Sequence, residues 1–178
     1  MKPKIISEKV LYKSNLSEVI SAKVKLRNGK IVEWDYFGNA DVVAVLPMDS
    51  NGNVYLVKEW RPAWRKDLIQ IPAGHCLYKT EAGRLKQVHN ELREETGMDA
   101  KKINKLVSFA PSARMNYKLH LYLALDLFPS QKAPDEDEFI EVIKLPFKKA
   151  YKMFVQDWNL TTSSTITALL IYQCRQHS

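Results

Sequence analysis

Three glutamates, Glu91, Glu94 and Glu95, stand three and four positions apart along the chain. On a helix such residues share one face, so their carboxylates would point into one small volume. Like charges held that close repel. A hard divalent cation relieves the repulsion, and Mg²⁺ favours this kind of oxygen site, keeping several waters and bridging to phosphate oxygens. The same Glu-x-x-Glu-Glu spacing also occurs on solvated acidic faces, so the triplet alone leaves both readings open. A second acidic group, Asp135, Glu136, Asp137 and Glu138, follows later. The chain as a whole has the opposite sign, with 27 Lys and Arg against 20 Asp and Glu and a formal charge of +7. That excess favours anionic partners. The basic residues are scattered, with doublets only at Lys101-Lys102 and Lys148-Lys149, which argues against a nucleic-acid surface.

The elements that must position these groups are legible from spacing. Leu85, Val88 and Leu92 fall at i, i+3 and i+7 and predict a helix from about Glu81 to Thr96, with Gly97 where a C-terminal cap belongs. The glutamates lie on its polar side. Ahead of it, Leu68, Ile69 and Ile71 predict a short strand that ends in a turn at Pro72-Ala73-Gly74. Val19 to Tyr36 holds two β-rich runs around Asn28-Gly29, a strong hairpin signal. Val42 to Leu46 and Val54 to Trp60, separated by turn residues, predict a second hairpin. Past the helix, leucines at 119, 121, 123, 125 and 127 alternate with other residues and predict a half-buried strand. Phe139 to Leu145 predicts another strand, Pro146 a helix start, and Thr162 or Ser163 the start of a last helix. Strands around one central helix, with two helices at the end, indicate an α+β or mixed α/β/α layered domain.

Composition bounds the answer further. The chain has 178 residues, 46% of them apolar and 26% charged, which suits one globular domain with a small extension and excludes a disordered linker. No apolar run approaches the ~20 residues of a membrane span, and lysines interrupt the first segment, so no membrane partner and a cytoplasmic location are expected. Cys76 and Cys174 lack the paired spacing of a disulfide scaffold or zinc site.

The segment Asn90-Glu91-Leu92-Arg93-Glu94-Glu95-Thr96-Gly97-Met98, behind the Ala73-Gly74 turn, resembles the Nudix box. The family pattern is Gly, five residues, Glu, seven residues, then Arg-Glu-aliphatic-any-Glu-Glu-any-Gly-aliphatic. This chain departs from it in three ways. The stretch from Gly74 to Gly97 is two residues longer, Glu81 stands as the first glutamate with one extra residue on either side, and Asn90 replaces the arginine. The rest of the chain is similar to the branch that cleaves ADP-ribose and nucleoside diphosphate sugars. Glu59-Trp60-Arg61-Pro62 resembles its substrate-contacting strand, Ala110-Pro111-Ser112 its loop over the terminal sugar, and Asp135 to Val142 its acidic loop.

That resemblance implies an α/β/α sandwich of the Nudix type: a mixed sheet with a central catalytic helix in residues 39–178, and an N-terminal β extension, residues 1–38, that mediates a homodimer. It implies Mg²⁺ or Mn²⁺ held by Glu91 and Glu95 with support from Glu94 and the Ala73 carbonyl. Catalytic roles would fall to Glu138, Glu136 and Glu94, with Glu138 the preferred base. Substrate contacts would come from Arg61, Trp60 and Ser112, and from Trp34 or Tyr36 lent by the partner subunit to stack a nucleobase. The implied substrates are nucleoside diphosphate sugars of the ADP-ribose and ADP- or GDP-hexose class. Two alternatives stand beside this reading: hydrolysis of capped RNA, which the positive charge would suit, and a non-catalytic nucleotide-sugar sensor, suggested by Asn90 and the lengthened box.

Overall fold

The computed structural model describes residues 2–132 and 139–176, in two compact units. Unit 1 comprises Met1–Asp41 and Phe109–Lys118. Its strands β1 (Lys4–Lys13), β2 (Ser17–Lys25) and β3 (Ile31–Asn39) form an antiparallel sheet in the order β1-β2-β3. The Asn28-Gly29 hairpin is present: Gly29 has φ +85°, a conformation a side chain would disfavour, and Lys25 pairs with Ile31 across the turn. Ile20, Ala22 and Val24 alternate along β2 and are buried. The 109–118 segment joins this unit through β3, where the Phe37 amide donates to the Arg114 carbonyl at 2.8 Å and Asn116 donates back to the Phe37 carbonyl at 3.0 Å.

Unit 2 comprises Val42–Ser108 and Leu119–Ser178. It holds a four-stranded sheet in the order β7-β4-β9-β8 and a three-stranded sheet in the order β10-β5-β6. The strands are β4 (Asp41–Pro47), β5 (Asn53–Arg61), β6 (Lys66–Gln70), β7 (Ala73–Cys76), β8 (Met98–Phe109), β9 (Leu119–Pro129) and β10 (Glu141–Pro146). The helices are α1 (Glu81–Thr96), α2 (Phe147–Gln156) and α3 (Ser163–Gln176), with a short 3-10 turn at Trp158–Leu160. Val88 and Leu92 of α1 join Val43, Val45, Cys76, Tyr122 and Ala124 in one core cluster, so the helix lies against the four-stranded sheet. The buried face of α1 carries Val88 and Leu92 of the predicted stripe but also Glu91 and Glu95, so only Glu94 keeps to the polar side expected of all three glutamates. No helix among the described residues is long and apolar enough to cross a membrane.

Three local expectations need correction. β4 and β5 do not form a hairpin. The turn between them is real, with Gly52 donating to the Asp49 carbonyl at 3.0 Å, but pairing stops at one Met48–Val54 bridge. β4 then runs parallel to β9 in one sheet while β5 pairs with β6 and β10 in the other. Nor is β9 half-buried, since Leu119 to Ala124 are all buried. Tyr122 and Ala124 face the α1 cluster while α3 also contacts β9, which explains why the alternation marked no solvent face. Finally, Ala73-Gly74 begins a strand rather than ending one.

The start of α1 is fixed by Thr80, whose hydroxyl accepts from the Gly83 amide at 3.2 Å, and by Glu81 beside it. One Glu81 oxygen accepts from the Tyr122 hydroxyl at 2.9 Å; the other accepts from Arg84 at 3.0 Å and Lys105 at 2.9 Å. Glu81 therefore ties the helix to β9 and β8. Burial by itself would raise its carboxyl, but bonds from Lys105, Tyr122 and Arg84 outweigh it and hold the pKa down at about 2, against 4.5 unperturbed. A depressed acid stabilises the fold above its unfolded pKa, and that contribution is lost as pH falls toward the folded value. The urea midpoint of the protein should therefore fall between about pH 4.5 and about 2 more steeply than that of Glu81→Gln. Parallel pH profiles for the two would remove Glu81 from this role.

Candidate functional site

Two of the three glutamates meet at β7. Glu91 and Glu95, one turn apart on α1, are buried at 8% and 5% exposure. A Glu95 carboxylate oxygen accepts from the Ala73 amide at 3.3 Å. Glu91 lies so close to the next residue that a β-carbon on Gly74 would sit 2.1 Å from its Oε1. The glycine serves this close approach, since its backbone is not in the left-handed region. Gln87, one turn earlier on the helix, donates to the same Glu91 oxygen at 2.7 Å. Two mostly buried carboxylates thus converge on one backbone segment, held there by the α1–β7 packing.

Glu94 is placed differently. It forms an ion pair with Lys132, whose own amide donates to the Arg93 carbonyl at 3.2 Å. Ser130 donates to the Gly97 carbonyl at 3.0 Å, so the 130–132 segment caps the last turn of α1. Gly97 itself adopts φ +67°, the left-handed cap expected of it. Beside this end of the helix is a hollow of about 330 Å³ lined by Glu94, Glu95, Thr96, Gly97, Gln131, Ile140 and Val142. Among the described residues, no group of three or more His, Cys, Asp or Glu side chains is placed to hold a metal ion.

Comparison with known proteins sets this geometry in context. No family model matches the chain. The ADP-ribose pyrophosphatase of Bacillus subtilis (strain 168) is 28% identical over 179 aligned positions, spanning 99% of this chain and 95% of that protein. The methanol dehydrogenase activator of Bacillus methanolicus is 28% identical over 176 positions, spanning 97% and 94%. The GDP-mannose pyrophosphatase of Yersinia pestis (strain Pestoides F) is 36% identical over 129 positions, spanning 66% and 63%. A crystal structure described as an ADP compounds hydrolase superposes with a TM-score of 0.87 at 19% identity over 99% of this chain and 95% of that one, matching the α/β/α fold. These likenesses in sequence and fold support a Nudix-type pyrophosphatase. The chain is related to the branch of ADP-ribose and nucleoside diphosphate sugar pyrophosphatases, and is a Nudix-type hydrolase of nucleotide-linked compounds.

The other candidate residues fall in both units. Arg61 and Glu59 share one face of β5, where the guanidinium lies 2.6 Å from the carboxylate and buried Gln70 donates to the same oxygen at 3.4 Å. Burial pushes the Glu59 carboxyl up, and Arg61 opposes that. Trp60, between them, projects from the other face and is 57% exposed, so Trp60 and Arg61 cannot contact one ligand from the same side of the strand. Trp34 and Tyr36 belong to unit 1 and line a hollow of about 640 Å³ with Arg114 and Asn116. Tyr36 donates to Glu8 at 2.6 Å, and that bond, with burial and the charge of Glu8, raises its phenol to about 12. Ser112, also in unit 1, shapes its loop: its hydroxyl accepts from the Arg114 amide at 3.2 Å. Glu136 and Glu138 lie outside the described residues.

At the position of the box arginine, the side-chain amide oxygen of Asn90 accepts from the Arg93 guanidinium at 2.8 Å, and Arg93 also donates to the His89 backbone carbonyl at 3.0 Å. Arg84, on the same helix, pairs with Glu81. Partners of Glu94 and Glu91 include Lys132 and Gln87. Gln87 was detectable by its i, i+4 spacing to Glu91; Lys132, 38 residues beyond Glu94, gave no local signal. Asn90→Arg would remove the acceptor of Arg93 and place a second guanidinium beside it. Turnover should stay equal or drop, by up to about tenfold. A severalfold gain at unchanged melting temperature would show that the box lacks this charge.

Proposed function

We propose that this protein hydrolyses the diphosphate bond of nucleoside diphosphate sugars, of the ADP-ribose and ADP- or GDP-hexose class, to a nucleoside monophosphate and a sugar phosphate. The observation that carries the proposal is the pair of buried carboxylates, Glu91 and Glu95, meeting at Ala73-Gly74. End-to-end alignment with an ADP-ribose pyrophosphatase supports the substrate class.

Mg²⁺ or Mn²⁺ fits this donor set. The donors are all oxygen, and Mg²⁺ typically takes one or two carboxylates, retains waters and completes its shell with substrate phosphates. Glu91 and Glu95 would hold it, with support from Glu94 and the Ala73 carbonyl. When bound, such an ion neutralises diphosphate charge and lowers the pKa of a coordinated water. Glu138, or Glu136, accepts a proton from the attacking water as its oxygen bonds to one phosphorus; the anhydride P–O bond breaks and the bridging oxygen leaves with the other phosphate. Arg61 is the candidate phosphate or sugar contact, with Glu59 orienting its guanidinium. Trp60, on the opposite face of β5, would meet substrate only from that other side, and Ser112 is a further proposed contact. Trp34 or Tyr36, lent across the proposed dimer by a partner subunit, would stack the nucleobase, and the hollow they line has the size of a small-molecule site.

A homodimer through the N-terminal sheet is part of the proposal. β1 exposes Ile5, Ile6, Val10, Leu11 and Tyr12 on both faces, an arrangement suited to a covering partner. The test of function is a panel of ADP-ribose, ADP-glucose, GDP-mannose and a capped RNA fragment, with and without Mg²⁺, and products identified by chromatography. Metal-dependent release of nucleoside monophosphate and sugar phosphate is expected. Faster turnover of capped RNA, or binding without turnover, would overturn the reading.

A further inference from the structure

The ion pair between Lys132 and Glu94 places a fixed positive charge on the acidic face of α1. Glu94 is only 17% exposed, so solvent screens the pair less than an open surface bridge. The lysine is not on a loose tether. Its amide bonds the Arg93 carbonyl in the last turn of α1 and that of Ser130 bonds the carbonyl of the cap residue Gly97, where N–H donors and a cation also complement the helix dipole. The box position that carries arginine in the family pattern is neutral Asn90, whose side chain accepts from Arg93, and Gln87 is one partner of Glu91.

We infer that Lys132 is a resident counter-cation which competes with the divalent ion for Glu94. This rests on the proposed metal role of Glu91 and Glu95. An ammonium and a metal ion cannot take the same carboxylate oxygen, and the two cations repel across the short face. Lys132 is therefore a positioning residue: it holds Glu94 away from the Glu91–Glu95 pair until the ion displaces it, and it weakens the affinity of the metal-free protein for that ion.

The experiment titrates Mn²⁺ into the metal-free full chain and reads free Mn²⁺ by electron paramagnetic resonance, without substrate. Lys132→Met should bind Mn²⁺ about threefold to tenfold more tightly than the parent, because a repelling charge is removed. Lys132→Arg should stay within about twofold of the parent. The gain should vanish when Glu94→Gln is combined with Lys132→Met. It should shrink in about 0.5 M KCl, which screens the repulsion. Should Lys132→Met melt at a lower temperature, Lys132→Gln repeats the comparison with a polar neutral side chain. Equal or weaker Mn²⁺ binding by the neutral variant would overturn the inference. Glu95→Gln separates the two layers: if it binds Mn²⁺ as the parent does, the carboxylate pair is not the metal site and the role of Lys132 falls with it. If Glu95→Gln loses binding while Lys132→Met gains none, only the lysine assignment fails.

Discussion

Glu95→Gln should lower the Mg²⁺-dependent hydrolysis rate by roughly 10²–10⁴-fold while leaving the fold intact. Glutamine keeps the volume of the side chain, and its carbonyl can still accept the Ala73 amide that Glu95 accepts at 3.3 Å. What it deletes is charge. Glu95 is among the most buried charged side chains of the protein and lies one helical turn from Glu91. A charged ligand in a poorly solvated site contributes several kcal/mol to transition-state stabilisation, and each factor of ten in rate corresponds to about 1.4 kcal/mol. The melting temperature should hold or rise slightly, since one of two adjacent buried carboxylates is neutralised. Activity within threefold of the parent would take Glu95 out of the catalytic centre.

Gly74→Ala separates activity from stability in a second way. The added β-carbon would lie 2.1 Å from Glu91 Oε1 and 2.4 Å from its Cδ, distances that van der Waals contact forbids. The obstructing atoms are the far end of a flexible side chain, so the carboxylate can swing aside and the backbone need not yield. Folding stability should change by no more than about 1 kcal/mol, helped by the lower chain entropy of alanine in the unfolded state. Turnover should drop by about 10²-fold, because a carboxylate displaced by an ångström no longer holds its ligand. Near-normal kcat/KM would show that the approach of Glu91 to β7 is incidental, and a fall in melting temperature beyond about 10 °C would show that the backbone moved instead.

The helix and its chemistry were legible in the chain because both depend on short spacings. Leu85, Val88 and Leu92 define one face within two turns, Gly97 stops the helix, and Glu91, Glu94 and Glu95 follow on adjoining positions, although Glu91 and Glu95 are buried beside Val88 and Leu92 rather than on an opposite polar side. The Asn28-Gly29 hairpin was legible for the same reason: two adjacent residues satisfy a turn that needs positive φ. Strand partners were not local. Turn residues at Asp49 to Asn53 suggested β4 against β5, yet β4 pairs with β9 some 77 positions away, Val42 facing Leu119, because both are apolar enough to be buried on both faces. The alternation of β9 could not reveal that a second helix layer covers its other face. Nor could spacing divide the three glutamates. The helix delivers them as a group, but only the arrival of β7 beneath Glu91 and Glu95, and of Lys132 beside Glu94, gives two of them a backbone segment to converge on and the third a cation. Those contacts join residues 22 and 38 positions apart, and they exist only because packing of the sheet and the end of β9 brings them to the same helix.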